Sequence, residues 1–169
     1  MLYIFGGLPG TGKSTLSSAL ARELQAPYLR VDVVEQAMRV AGREVKGPEG
    51  YIICYEIARQ NLLIGLDVIA DTVNPIGYTR QAWRNVAESL GLPYAEIEVV
   101  CSDEQEHKER INTRTTDIPG FTLPAWEDVK NRYYEAWDND HIVIDTAHHT
   151  VAESLVSLRE QLRLKNIVE

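Results

Sequence analysis

The chain has 169 residues, of which 25% are charged and 44% come from the group AVILMFWYC, the balance of an ordinary globular protein with room for one sizeable core. A formal net charge of −8 argues against a protein that coats nucleic-acid phosphates, although it leaves room for a small basic pocket. Cys54 and Cys101 have no metal or redox spacing and read as reduced core thiols. An apolar strand from residue 2 leaves no room for a secretory leader, no stretch approaches membrane-spanning length, and a cytoplasmic location is the expectation.

In chain order, "LYIF" reads as a short buried strand and "KSTLSSALARELQA" as a helix with Leu16, Leu20 and Leu24 on one face. Between them lies Gly7-x-x-x-x-Gly12-Lys13-Ser14, the phosphate-loop spacing. A chance match to all four fixed positions at average composition is about one per cent or less. Glycines let the backbone approach a ligand closely, and the loop N–H groups with the helix N-terminus form a positive concavity for phosphate oxygens. Gly7, Leu8, Pro9, Gly10, Thr11, Gly12, Lys13, Ser14 and Thr15 are therefore the expected nucleotide-binding set. Lys13, read as an exposed loop lysine, would reach the β- and γ-phosphates of a nucleotide, and the Ser14 hydroxyl would sit on Mg²⁺.

"PYLRVDVV" carries the second strand and runs into a helix through "VEQAMRV". "GREVKGPEG" breaks the chain, and "YIICYEIARQNLLIG" is the next helix. "DVIAD" is the third strand. Asn74-Pro75 reads as an N-cap with proline at the first helical position, opening a helix through "YTRQAWRNVAESLG". "YAEIEVVC" is the fourth strand, followed by a charged helix from Asp103, a loose "TTDIPGFTLP" and a helix through Trp137. "HIVIDT" is the fifth strand and "VAESLVSLREQLRL" the closing helix.

Strands alternating with helices imply right-handed βαβ units and a parallel sheet covered on both faces. The expected fold is α/β: a P-loop NTPase with an adenylate-kinase-like three-layer arrangement, one domain over residues 1–169, a lid at about 103–124, and five parallel strands in the order 2-3-1-4-5. That order puts strands two and three on one side of the phosphate loop, as it must if Asp32 and Asp71 are both to reach the γ-phosphate.

Chemistry in such sheets collects at the carboxyl ends of the strands. Asp32 stands where the second strand gives way to a helix, as an N-cap, as a base toward an attacking hydroxyl, or as both. Asp71 closes an apolar strand, a Walker-B-like placement that suits contact with Mg²⁺ or with the acceptor. The next residue is Thr72, not glutamate, which disfavours an energy-coupled ATPase. Asp145 ends the fifth strand, where an edge position favours a structural role. Arg110 and Arg114 share a helix face ahead of the loose segment, the form of a lid that carries arginines onto phosphates, although such a pair is more often solvated charge. Trp126, Val129, Tyr133 and Trp137 have the spacing of a helical core stripe. His107, His141, His148 and His149 show no metal spacing and read as surface, and Arg39, Arg43 and Lys46 as a solvated charge run.

"GGLPGTGKST", "VDVVEQAMR", "DTVNPIGYTRQAW" and "ERINTR" occur in the order found in small P-loop kinases, and the chain resembles that group over nearly its full length. The group includes bacterial "predicted kinases", the kinase domain of polynucleotide 5′-hydroxyl kinases, chloramphenicol phosphotransferase and zeta-type toxins. The resemblance implies ATP and Mg²⁺ at Lys13 and Ser14, Asp32 as base toward the acceptor hydroxyl, Asp71 near the acceptor, and Arg114, with Arg110, as the lid arginine. Polynucleotide kinases carry an arginine soon after the catalytic aspartate. Here Asp32 is followed by Val33, Val34 and Glu35, and the first arginine is Arg39.

The expected activity is transfer of the γ-phosphoryl group of ATP to a hydroxyl of a small molecule, by a monomer or homodimer, with nucleic acid and membrane not expected as partners. A polynucleotide kinase-like enzyme and a non-catalytic ATP-binding protein remain alternatives. A GTPase switch is excluded by the lack of an N-K-x-D motif, and a mechanical AAA ATPase is disfavoured by length and by Thr72.

Overall fold

The computed structural model describes residues 1–165. The elements, in order, are β1 (Leu2–Gly6), α1 (Lys13–Leu24), β2 (Tyr28–Arg30), α2 (Val31–Val40), α3 (Glu49–Leu63), β3 (Val68–Asp71), α4 (Gly77–Glu88), β4 (Tyr94–Val100), α5 (Glu104–Thr113), α6 (Trp126–Lys130), β5 (Ile142–Asp145) and α7 (Val151–Leu164). All strand pairs are parallel and the spatial order is β2-β3-β1-β4-β5, as expected.

β1 lies at the centre of the sheet, and the period of two along a strand sends its side chains to both faces. Tyr3 and Phe5 pack with Leu16 and Leu20 of α1 and with Leu158 and Leu162 of α7. Leu2 and Ile4 pack with Cys54, Ala58 and Leu62 of α3 and with Trp83 and Val86 of α4. A strand covered on both sides needs a continuous apolar run, and "LYIF" is one. A smaller cluster joins Ile111 of α5 to Trp126 and Val129 of α6, against Leu8 of the phosphate loop. Among the described residues no helix is long and apolar enough to cross a membrane.

Three element expectations are corrected. β2 has only three residues, and Arg30 rather than Asp32 is the N-cap of α2, so Asp32 lies in the first turn and makes no capping bond. α4 begins at Gly77, because Asn74 takes a left-handed φ of 54° and residues 72–76 run as a loop beneath the phosphate loop, with Val73 O accepting from the Gly7 N–H at 3.1 Å. The helix expected through Trp137 stops at Lys130. Beyond it the chain forms a strap, with Glu135 N–H donating to Pro75 O at 2.8 Å and its carboxylate accepting from Gly77 N–H at 2.5 Å. Trp126 and Val129 are buried as the stripe requires, but Tyr133 is 72% exposed.

Candidate active site

The loop between β1 and α1 turns on glycines with positive φ. At Gly7 φ is 137°, and a β-carbon there would collide with the Val99 carbonyl oxygen. Gly12, the N-cap of α1, is left-handed at φ 91°. It offers no capping side chain, and the first turn holds no acidic residue. α5 and α7, by contrast, are capped by Asp103 and by the Thr150–Glu153 box. The N-terminal N–H groups of α1, like those of α2, α3 and α4, have no N-cap side-chain acceptor, and those of α1 open with the glycine loop on a cleft of about 1730 Å³.

Lys13 differs from its sequence-based reading. It is 7% exposed, and Nζ donates to Asp71 Oδ1 at 2.5 Å. Asp71 is buried at the end of β3, beside β1, and Oδ2 accepts from the Tyr28 hydroxyl at 2.5 Å, with Arg30 Nε 3.8 Å away. Burial pushes the Asp71 carboxyl up, but the Lys13 charge, its hydrogen bond and the Tyr28 and Ser14 hydroxyls outweigh this and hold it below the ordinary carboxylate range. The Tyr28 phenol is driven up, first by burial and then by the Asp71 charge. Ser14, beside Asp71, lines the cleft with Thr15, Leu8, Pro9, Gly10 and Gly12. Thr11 is buried, and its carbonyl accepts from Thr146 Oγ1 at 2.8 Å.

Asp32 is half-buried and opens on the same cleft from α2, one strand over from Asp71. Glu35, a turn later, is pushed up by burial and then by the Asp32 charge, and it pairs with Arg39. Tyr51 of α3 lines the same wall, its hydroxyl accepting from Thr72 Oγ1 at 2.6 Å. Thr72 is thereby tied into the core.

Arg110 and Arg114 both line the cleft, but they differ in engagement. Arg110 donates to Thr146 Oγ1 at 2.7 Å, to Thr146 O at 2.8 Å and to Glu106 at 2.5 Å, bracing the back of the loop. Arg114 caps the end of α5, where Nη2 donates to Pro124 O at 3.2 Å and Nε has no hydrogen-bond partner among the described residues. Its pKa is lowered by burial, with Asp32 as the opposing charge.

Tyr28, Arg30, Tyr51, Asp117 and His107 were not anticipated. His107, expected on the surface, is 6% exposed; Nε2 faces Pro9 O at 2.8 Å and the ring meets Trp126 edge-on. The nearest sequence signal was Arg30, two residues before Asp32 at the end of a strand. Arg39, Arg43 and Lys46 are all exposed; Arg39 lines the cleft, whereas Arg43 and Lys46 lie outside it, with Lys46 paired to Glu44. Asp145 is structural, accepting from the Ser102 and Ala147 N–H groups at 3.0 Å.

Residues 2–136, from the first strand to the strap, match a family described as AAA domain. The chain belongs to that family. It is 29% identical over 165 residues to a protein of Aeropyrum pernix named probable adenylyl-sulfate kinase, covering 88% of this chain and 85% of the relative. It is 27% identical over 184 residues to the adenylyl-sulfate kinase of Myxococcus xanthus, covering 96% and 91%. In fold, this AAA domain resembles the APS kinase of Mycobacterium tuberculosis solved with AMPPNP and APS, with a TM-score of 0.68, 18% identity and 96% of each chain covered. These relatives place this AAA domain among the small P-loop kinases.

Proposed function

We propose that the protein transfers the γ-phosphoryl group of ATP to a hydroxyl of a small molecule, with Mg²⁺ as cofactor. The observation that carries this is the meeting in one cleft of the glycine loop and helix start, Lys13 and Asp32, with the Asp71 carboxylate buried behind Lys13. Kinase relatives support ATP as the donor.

The Ser14 hydroxyl on the cleft wall is a hard oxygen donor of the kind Mg²⁺ accepts, and a cation shared with nucleotide phosphates needs only one or two protein ligands. Asp71, whose oxygens hold Lys13 and Tyr28, would act on the ion once Lys13 moves to the phosphates. When bound, the ion neutralises charge on the phosphates and orients them. The protein's own groups do the rest. Loop N–H groups and Lys13 cradle the β- and γ-phosphates. Asp32 accepts the acceptor's proton as the new O–P bond forms and the bond to the ADP oxygen breaks. Arg114 meets the charge on the transferring group. Catalysis of this kind rests on positioning and charge compensation.

The adenylyl-sulfate kinases among its relatives make adenylyl sulfate the first acceptor to assay. The test is ATP consumption by purified protein across adenylyl sulfate, nucleosides, sugars, hydroxylated antibiotics and 5′-hydroxyl oligonucleotides. Acceptor-dependent ADP formation with a small molecule, and a phosphorylated product, is expected. ADP release that no acceptor raises would overturn the transfer reading.

A further inference from the structure

The Arg30 guanidinium stands between two carboxylates with different addresses. On one side Nε lies 3.8 Å from Asp71 Oδ2, the carboxylate that holds Lys13 at 2.5 Å; Arg30 and Asp71 are register partners on adjacent strands. On the other side Nη1 donates to both carboxylate oxygens of Asp117, at 2.9 and 2.8 Å. Asp117 sits three residues after Arg114 in the irregular segment 114–125, and its side chain is 75% exposed, so packing does not hold it in place. The same segment touches α2 again where Gln36 Nε2 donates to Pro119 O at 3.2 Å. An unbroken row of charges, Lys13–Asp71–Arg30–Asp117, thus runs from the phosphate loop to the segment that carries Arg114.

We propose that Arg30 is a positioning residue that couples the 114–125 segment, and with it Arg114, to the occupancy of the phosphate site. Arg30 is 18% exposed and faces a carboxylate on each side, so it cannot swing away from Asp71 without dragging on Asp117. A nucleotide that draws Lys13 onto its phosphates removes the nearest cation from Asp71. The remaining charge on Asp71 then falls to Arg30, and the change in pull passes through the two Asp117 bonds to the segment. Arg114 therefore takes its working place only when a nucleotide is present, which limits idle hydrolysis. This rests on the kinase reading of the cleft.

The test is hydrogen exchange over residues 114–125, with and without AMPPNP and Mg²⁺, alongside a calorimetric titration of the nucleotide. The wild type is compared with Arg30→Gln and with Asp117→Asn, the latter at an exposed site where folding is not at risk. In the wild type the nucleotide should slow exchange of the segment several-fold. Without nucleotide, each variant should exchange about two- to fivefold faster there, the scale of one lost ion pair with an exposed partner, and should lose the nucleotide-induced slowing. Nucleotide affinity should change less than about threefold, a split that a merely destabilised protein would not give. Equal slowing in wild type and variants, or none in a wild type that binds nucleotide, overturns the coupling. A wild type that fails to bind nucleotide in the titration overturns the kinase reading itself, and the calorimetry tells the two failures apart.

Discussion

Lys13 and Asp71 neutralise each other in a place where neither is well hydrated. An exposed loop lysine would be removed with little effect on the fold, but this one shields a fully buried carboxylate. Lys13→Ala should therefore abolish nucleotide-dependent turnover and also destabilise the protein by about 3 kcal/mol at neutral pH, the scale for orphaning one partner of a buried pair. The sign with pH follows from the depressed Asp71 pKa: its contribution is present above the ordinary carboxylate value and is lost as pH falls through the lower folded value. Melting curves of the two proteins should thus converge on acidification below about pH 4; a gap that persists there would assign the loss to packing. Asp32→Asn tests a different chemistry. Asp32 is not a cap, so the change removes a favourable first-turn charge, worth about 0.3–1 kcal/mol, together with the charge that faces Arg114 and repels Glu35. Turnover should fall by roughly 10²–10⁴ while nucleotide affinity survives. Near-normal turnover, measured with melting and binding on one preparation, would withdraw the base assignment.

At the scale of elements, the sheet was readable because its inner strands are covered on both faces and so appear as unbroken apolar runs, and because the loop spacing marks the first βα junction. Asp71 was readable as the polar stop of such a run. The strap was not. The spacing from Trp126 to Trp137 obeys the helical period, but at Glu135 the backbone N–H goes to Pro75 O and the carboxylate to the Gly77 N–H, partners that no local pattern announces. Asn74 had the chemistry of a cap, yet its backbone N–H is taken by the Tyr51 and Thr72 hydroxyls, both at 3.3 Å, in a turn set by tertiary contact. The Arg30–Asp117 pair was invisible for the same reason, its members lying far apart along the chain. The strap has its own test. A β-carbon at Gly6 would stand 2.5 Å from the Trp137 ring, so Gly6→Ala should displace the strap and lower stability by about 1–3 kcal/mol. Adding Trp137→Leu should recover part of that loss in thermal melts; no recovery would mean that the crowding lies elsewhere.

On the scale of the whole molecule, an acidic chain gathers several cationic groups around one cleft and pairs four of them with carboxylates: Lys13 with Asp71, Arg30 with Asp117, Arg39 with Glu35 and Arg110 with Glu106. The central position of β1 carries a further consequence, for the order of events at the ribosome. The strand that bears the phosphate loop precedes all its partners in the chain: Leu2 waits for Val68 to pair one edge and for Tyr94 to pair the other, and Gly6 waits for Trp137. Non-local parallel pairing is slow to form, and an unpaired apolar strand is exposed until it does. During synthesis β1 therefore stays unpaired until β3 and β4 have followed it, and the nucleotide loop takes shape only then. A force-sensitive arrest series should register its main folding step late, once β4 and the strap have cleared the exit tunnel, rather than after the first βαβ unit.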